Sequence, residues 1–99
     1  MAAGSLRLTI TLADAELAKL AKALGHPMRV AIVRYLLAQG ESVCADLSDV
    51  GQLAHSTMMQ HMKVLKEAGL LSSCRSGRNV LYCVNPRALE QIRGLVRSL

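Results

Sequence analysis

The sequence predicts a small, mainly α-helical domain that carries one β-hairpin near its C-terminal end. Three observations lead to this prediction. Apolar residues recur at helical spacing over most of the chain, two short β-rich runs flank Ser76-Gly77, and Pro27 and Pro86 stand where helices begin. No linker, repeat or low-complexity stretch divides the 99 residues, so we expect one domain over residues 1–99. Residues 1–10 show no strong pattern and are expected to form a partly mobile tail.

A first helix is predicted over residues 12–24. Gly25 ends it, and either Thr11 or Asp14 can cap its start. The apolar residues follow the spacing i, i+3, i+4, i+7 and therefore share one face: Leu17, Leu20, Ala21 and Leu24.

Pro27 opens a second predicted helix, residues 27–38, because its fixed φ and missing N–H are harmless at a first helical position. Apolar residues cover much of its circumference, which predicts a buried central helix. The short segment Glu41–Val43 is expected to be a stub of strand. A third helix is predicted over residues 44–50, followed by a turn at residues 51–53.

A fourth helix is predicted over residues 55–68 and ends at Gly69. Two β-rich runs follow, residues 70–74 and 79–84, with Ser76-Gly77 as the tight turn between them. The last helix, residues 86–99, begins at a proline and has one apolar face. The predicted order α-α-α-α-β-β-α, with a hairpin directly after the fourth helix, is that of a winged helix-turn-helix domain.

The fourth helix has the two faces that a helix in a DNA major groove requires. Met58, Met62 and Leu65, spaced i, i+4 and i+7, form a packing face. On the other face, Gln60 can bond an adenine edge and Met59 can lie against a thymine methyl group. Short polar and cationic groups there suit phosphates. The predicted DNA contacts on this helix are His55, Ser56, Thr57, Met59, Gln60 and Lys63.

The hairpin tip adds Arg75 and Arg78, whose guanidinium groups can enter a minor groove or bind phosphates. Taken alone, each feature has a simpler interpretation. The helix could be an ordinary amphipathic surface helix, and the two arginines could merely keep the turn soluble. Their succession in the chain favours sequence-specific binding of double-stranded DNA.

Composition agrees with an anionic partner and limits the alternatives. The net charge is +5 and the sequence pI is about 9.6, which favours nucleic acid or a membrane surface. No apolar run approaches the roughly 20 residues that span a bilayer, and no secretory signal is recognisable, so we expect a cytoplasmic protein without membrane contact. The absence of Trp and Phe argues against binding of single strands by aromatic stacking. The high apolar share, 52%, predicts a homodimer interface.

Three stretches closely resemble the ArsR/SmtB family of winged-helix repressors. Ala23-Leu-Gly-His-Pro-Met-Arg-Val30 is similar to the opening of that family's second helix. Ser56-Thr-x-x-x-His-x-Lys-x-Leu-x-x-Ala-Gly-Leu70 resembles its recognition helix, and Gly77-Arg-x-Val-x-Tyr82 resembles its wing. The resemblance covers residues 14–98.

The resemblance implies a homodimer joined through the first and last helices, residues 12–24 and 86–99. It also implies a repressor that binds an inverted repeat in its own promoter and leaves it when an inducer binds or oxidises it. This chain departs from the family at three places. Ala54 stands where a capping serine is usual, Met59-Gln60 replaces the frequent Ser-Arg, and the glycine of the turn comes one place early, at Gly51.

The family's usual metal sites are missing from this sequence, so we predict no metal and no cofactor. Val43 and Ala45 stand at the ligand positions of the family's arsenic-type site, and the last helix offers only Glu90 where its zinc site would be. The inducer is therefore unknown from sequence.

Cys44, Cys74 and Cys83 have two open interpretations. They are either small buried or half-buried apolar residues or a redox or soft-metal sensor, including an atypical arsenic site. With Ser76-Gly77 as the turn, Cys74 would face Asn79 and Cys83 would face Leu70. That register would separate the two wing cysteines by about 13 Å along the strand.

Two other classes of function compete with DNA binding. A winged-helix module that binds another protein would expose an apolar recognition face, for which Met59 is a mild indication. An enzyme is not expected, because the sequence shows no nucleophile beside a base, no paired carboxylates and no phosphate-binding glycine loop.

Overall fold

The computed structural model describes residues 7–99, and the predicted tail therefore lies partly outside the described residues, at positions 1–6. Within residues 7–99 the elements follow the order α-α-β-α-α-β-β-α. Their bounds are α1 Leu12–Ala23, α2 Pro27–Gln39, β1 Glu41–Val43, α3 Cys44–Gly51, α4 His55–Glu67, β2 Leu71–Ser76, β3 Asn79–Val84 and α5 Pro86–Arg97.

The sheet has three strands in the order β1-β3-β2, all antiparallel. The stub predicted at Glu41–Val43 is confirmed as strand β1, which the predicted order of elements left out. It pairs along β3, with Ser42 opposite Tyr82. This pairing ties the segment between α2 and α3 to the wing, so the helical part and the hairpin form one structure.

The hairpin turn is one residue later than predicted. Ser76 pairs with Asn79, so Gly77 and Arg78 form the two-residue loop. Gly77 has φ +61°, and a glycine with positive φ at the first loop position is typical of a type II′ turn. The predicted register was wrong for this reason: Cys74 faces Leu81 and Cys83 faces Ser72.

Side-chain caps define three of the helix starts. Thr11 and Asp14 form a reciprocal capping box at α1, with N–H to oxygen distances of 2.9 and 3.1 Å. His26 caps α2 through Nδ1, which accepts from the Met28 N–H at 3.0 Å. Asn85 caps α5 and also donates to the Gly69 carbonyl at 3.1 Å, which fixes the start of α5 beside the end of the preceding helix.

The core lies where α2, α4 and the sheet meet. The predicted central helix α2 buries Ile32, Val33 and Leu36, although Leu37 is half exposed. The packing face predicted for α4 is buried in full, as Met58, Met62 and Leu65 are each at most 1% exposed. The largest fully buried side chains are Leu20, Leu36, Met58, Met62, Leu65 and Leu70.

The turn between α3 and α4 places a glutamine where glycine would fit better. Gln52 has φ +54°, in the left-handed region, whereas Gly51 is the last residue of α3. A β-carbon at Gly51 would lie 3.1 Å from Cε of Met58. That methyl group ends a flexible side chain and borders a cavity of about 190 Å³, so it has room to shift.

Exchanging the two residues, Gly51→Ala with Gln52→Gly, is expected to raise the free energy of unfolding by about 1 kcal/mol, because it removes the left-handed strain. The number of glycines is unchanged, so the entropy of the unfolded chain is nearly the same. Urea unfolding followed by circular dichroism measures the change, with each single variant as a control. A loss of stability in Gly51→Ala alone would mean that Met58 cannot move aside.

Candidate nucleic-acid interface

Helix α4 presents one polar face to solvent. Its buried methionines and Leu65 fix the rotation of the helix about its axis, and the opposite face therefore points outward. Met59 is 39% exposed, the most solvent-accessible methionine of this helix. All six residues predicted to contact DNA from this helix are exposed: His55, Ser56, Thr57, Met59, Gln60 and Lys63.

The N-terminus of α4 has no side-chain cap. Ala54 occupies the N-cap position, and neither Ser56 nor any other described side chain replaces the missing hydroxyl there. The first N–H groups of the helix are therefore free to meet solvent or an anion, and the helix dipole adds a positive partial charge. A phosphate oxygen at this end would satisfy donors that residues 7–99 leave unpaired.

The wing carries both predicted arginines, in two different positions. Arg78 lies in the turn itself, at the far end of the hairpin. Arg75 lies in strand β2, one residue before the pair that closes the turn, and is opposite Val80 of strand β3. Both are exposed, so two guanidinium groups project from a narrow hairpin that follows α4 directly in the chain.

A groove of about 320 Å³ runs between α4 and the wing, and its lining includes Gln60, Lys63 and Tyr82. It also includes Lys66, a cation that the sequence analysis missed. The spacing i, i+3 of Lys63 and Lys66 puts them on the same side of the helix, and this spacing could have identified Lys66. Lys63 has a weak ion pair with Glu67, 3.9 Å between highly exposed side chains, which leaves it available to an anion.

The three cysteines do not converge. Cys44 is buried at the start of α3, and burial raises the pKa of its thiol despite an opposing hydrogen bond from Ser48. Cys74 is exposed and Cys83 half-buried, with Sγ of Cys83 3.2 Å from the Ser72 hydroxyl. In the part of the chain that the structure describes, no three His, Cys, Asp or Glu side chains gather as a metal site.

The corrected register brings the wing cysteines closer than predicted. Cys74 and Cys83 are diagonal neighbours on one face of the hairpin, because the residue opposite Cys83 is Ser72, two positions before Cys74. Such diagonal neighbours have α-carbons about 7–8 Å apart, which is beyond the usual reach of a disulfide. The separation of about 13 Å expected from the sequence was wrong.

Known proteins share this arrangement. A family model described as a helix-turn-helix domain matches residues 24–74. SmtB of Mycobacterium tuberculosis, a helix-turn-helix transcriptional repressor, is 39% identical over 74 residues, which cover 75% of this chain and 54% of SmtB. The chain therefore spans about half the length of this curated relative.

Two solved structures extend the comparison. A possible transcriptional regulator for arsenical resistance is 32% identical, with a TM-score of 0.72 and 81% of each chain covered. A homodimeric winged helix-turn-helix DNA-binding domain from Mycobacterium bovis shares the fold at 23% identity, with a TM-score of 0.72, over 94% of this chain and 88% of that one. The order of elements, the two-faced helix, the wing and these relatives together place the chain in the ArsR/SmtB family of winged helix-turn-helix regulators.

Proposed function

We propose that the chain is a sequence-specific regulator of transcription that binds double-stranded DNA, and that it acts as a repressor rather than as an enzyme. The observation that carries this proposal is the exposed face of α4 beside the basic wing. Gln60 and Met59 would meet base edges, while Lys63 and the uncapped helix start would meet phosphates. Arg75 and Arg78 would bind the backbone or minor groove alongside. This role belongs in the cytoplasm.

A homodimer on an inverted repeat is part of the proposal. Helices α1 and α5 pack against each other, and apolar side chains remain exposed on both, with Leu12 91% and Val96 52% exposed. An open groove of about 660 Å³ between the two helices includes Leu12 and Leu95 in its lining. Association with a second copy through these helices would bury this surface. The two copies of α4 would then enter successive major grooves, about 34 Å apart.

Release from DNA would need a signal, and the cysteines are the candidates that the chain offers. Cys74 is the most accessible thiol, whereas the raised pKa of Cys44 makes its thiolate scarce. We therefore expect any oxidant or arsenite to act first on the wing rather than on α3. This expectation rests on the difference in exposure between Cys74 and Cys44.

The deciding experiment is fluorescence anisotropy on the DNA upstream of the gene, with reduced protein, oxidised protein, and protein with arsenite or zinc. Tight, salt-dependent binding that one treatment abolishes supports a repressor and identifies the class of signal. Binding that no treatment changes rejects the cysteines as sensors. The absence of specific binding in every state contradicts the proposal and favours a protein-interaction module.

Arg78→Ala is expected to weaken binding to all DNA sequences alike, because Arg78 in the turn would contact phosphate and not a base. The slope of log K against log salt should flatten by about one unit per half-site. Arg34→Ala, which removes an exposed arginine of α2, is the matched control and should leave the slope unchanged. An unchanged slope in Arg78→Ala would mean that the wing tip does not reach a phosphate.

A further inference from the structure

Two histidines and an arginine meet where α4 contacts the start of α2. The ring centroids of His26 and His61 are 4.5 Å apart, with an interplanar angle of 55°. Nη1 of Arg29 lies 3.4 Å from Nδ1 of His61. The same guanidinium donates to the main-chain carbonyls of Ala23, at 2.5 Å, and Lys22, at 3.4 Å. The cluster therefore joins the end of α1, the start of α2 and the middle of α4.

The hydrogen bonds determine which nitrogen of each ring holds the proton. Arginine has no acceptor and stays charged, so Nδ1 of His61 must accept and the neutral ring carries its proton on Nε2. Nδ1 of His26 accepts from the Met28 N–H, which requires the same tautomer. A second proton could enter either ring only at Nδ1. Protonation would therefore remove the contact of His61 with Arg29 and the cap that His26 gives to α2.

The surroundings of His61 disfavour a positive charge. Burial, followed by the positive charges of His26 and Arg29, lowers the pKa of His61 below its ordinary value. The carboxylate that lines the adjoining groove, Glu67, is highly exposed and forms only a weak ion pair with Lys63 at 3.9 Å, so solvent screens its charge from His61. The charged groups that line this groove from α1, α2 and α4 are Lys19, Lys22, Arg29 and Glu67.

The other elements packed on α4 add no compensating charge. α3 meets α4 beside Met58, and strand β2 of the wing, which carries no acidic residue, also packs on α4. The acidic residues of α3, Asp46 and Asp49, are exposed, and within residues 7–99 neither is hydrogen-bonded to the cluster. Among the described residues, a proton on His61 would thus lie beside two cationic groups and find no hydrogen-bonded carboxylate.

We propose that His26, Arg29 and His61 form a proton-sensitive joint that holds α4 in its DNA-binding position only while the imidazole of His61 is neutral. This inference rests on the proposed DNA binding and adds regulation by pH to it. The pKa of His61 is lower in the folded protein than in the unfolded protein, where it is about 6.5. The neutral ring therefore stabilises the fold above about pH 6.5, and this stabilisation is lost as the pH falls through the folded pKa. Acid therefore loosens the joint.

Three histidines allow a matched test. In His26→Asn with His61→Asn, the amide oxygens can still accept the two hydrogen bonds but cannot take up a proton. His55→Asn removes the remaining histidine, which is exposed at the start of α4, and serves as the control. Stability is measured by urea unfolding of DNA-free protein at pH 7.5 and 5.5. The wild type should be less stable at pH 5.5. For each additional proton that the unfolded protein binds, the unfolding constant should rise by up to about tenfold per pH unit.

The double variant should lose much less on acidification, and His55→Asn as much as the wild type. An equal loss in the double variant would overturn the joint. Should that variant fail to fold, an NMR titration of the wild-type rings decides instead, because a midpoint for His61 at or above about 6.5 contradicts the proposal.

Anisotropy at the same two pH values separates this inference from the function on which it rests. The ratio of affinities for specific and random DNA should fall with acid in the wild type and hold in the double variant. A ratio that falls equally in the double variant contradicts control of α4 by the joint. If specific binding is absent at both pH values, the DNA-binding function itself is refuted. The unfolding and NMR results still decide whether the joint exists.

Discussion

Leu65→Ala is expected to lower the free energy of unfolding by about 2–5 kcal/mol, because it leaves a cavity in the centre of the core. Leu65 is 0% exposed and lies on the packing face of α4 with Met58 and Met62. Its carbonyl also accepts from the Leu70 N–H at 3.0 Å, at the exit of the helix. Total stabilities of small domains are about 5–15 kcal/mol, so the variant should be marginal.

Urea unfolding at low temperature measures this loss, and Val64→Ala is the matched control on the same helix. Val64 is 37% exposed, so its truncation should change the stability by no more than about 0.5 kcal/mol. DNA binding should weaken in Leu65→Ala in proportion to the unfolded fraction. Equal effects of the two substitutions would mean that α4 does not pack on the core through Leu65.

Gln60→Ala should weaken binding to the specific site by about 1–3 kcal/mol per half-site, which is the usual contribution of a side chain bonded bidentately to a base. In the proposed dimer both half-sites lose the contact, so the effect on the whole complex is about twice as large. Gln60 is exposed on α4 and lines the groove toward the wing, so its removal disturbs no core contact.

Competition between specific and random DNA is the measurement for Gln60→Ala. The variant should lose affinity for the specific site, keep its affinity for random DNA, and accept other bases at one position of each half-site. Gln39→Ala removes the same side chain from the exposed end of α2 and should bind as the wild type does. An equal loss on specific and random DNA would assign Gln60 to a phosphate instead of a base.

Local sequence signals predicted the structure correctly where a single residue type sets the backbone conformation. Proline and glycine gave the start of α2 and the end of α4 within a residue, and Gly69 has the expected positive φ of +85°. The spacing of Met58, Met62 and Leu65 predicted the buried face of α4, and with it the exposed set that includes Gln60 and Lys63. These features depend on neighbours within one or two helical turns.

Features that depend on distant partners were missed or misplaced. The hairpin register changed because Gly77, rather than Ser76, takes the first loop position, and a shift of one residue exchanges every cross-strand partner. The contact of His61 with Arg29 joins residues 32 positions apart, which no periodicity in the sequence can indicate. Lys66 gains its place in the groove only when the wing folds back beside α4.

By itself, the sequence determined the order and bounds of the helices, the two faces of α4 and the resemblance to its family, because helical periodicity and end signals are local properties. Only the tertiary structure decided the pairing of β1 with β3, the diagonal placement of Cys74 and Cys83, and the cluster of His26, Arg29 and His61. Those contacts arise when burial of apolar side chains brings separate elements together, and the positions of the elements then fix which polar groups meet.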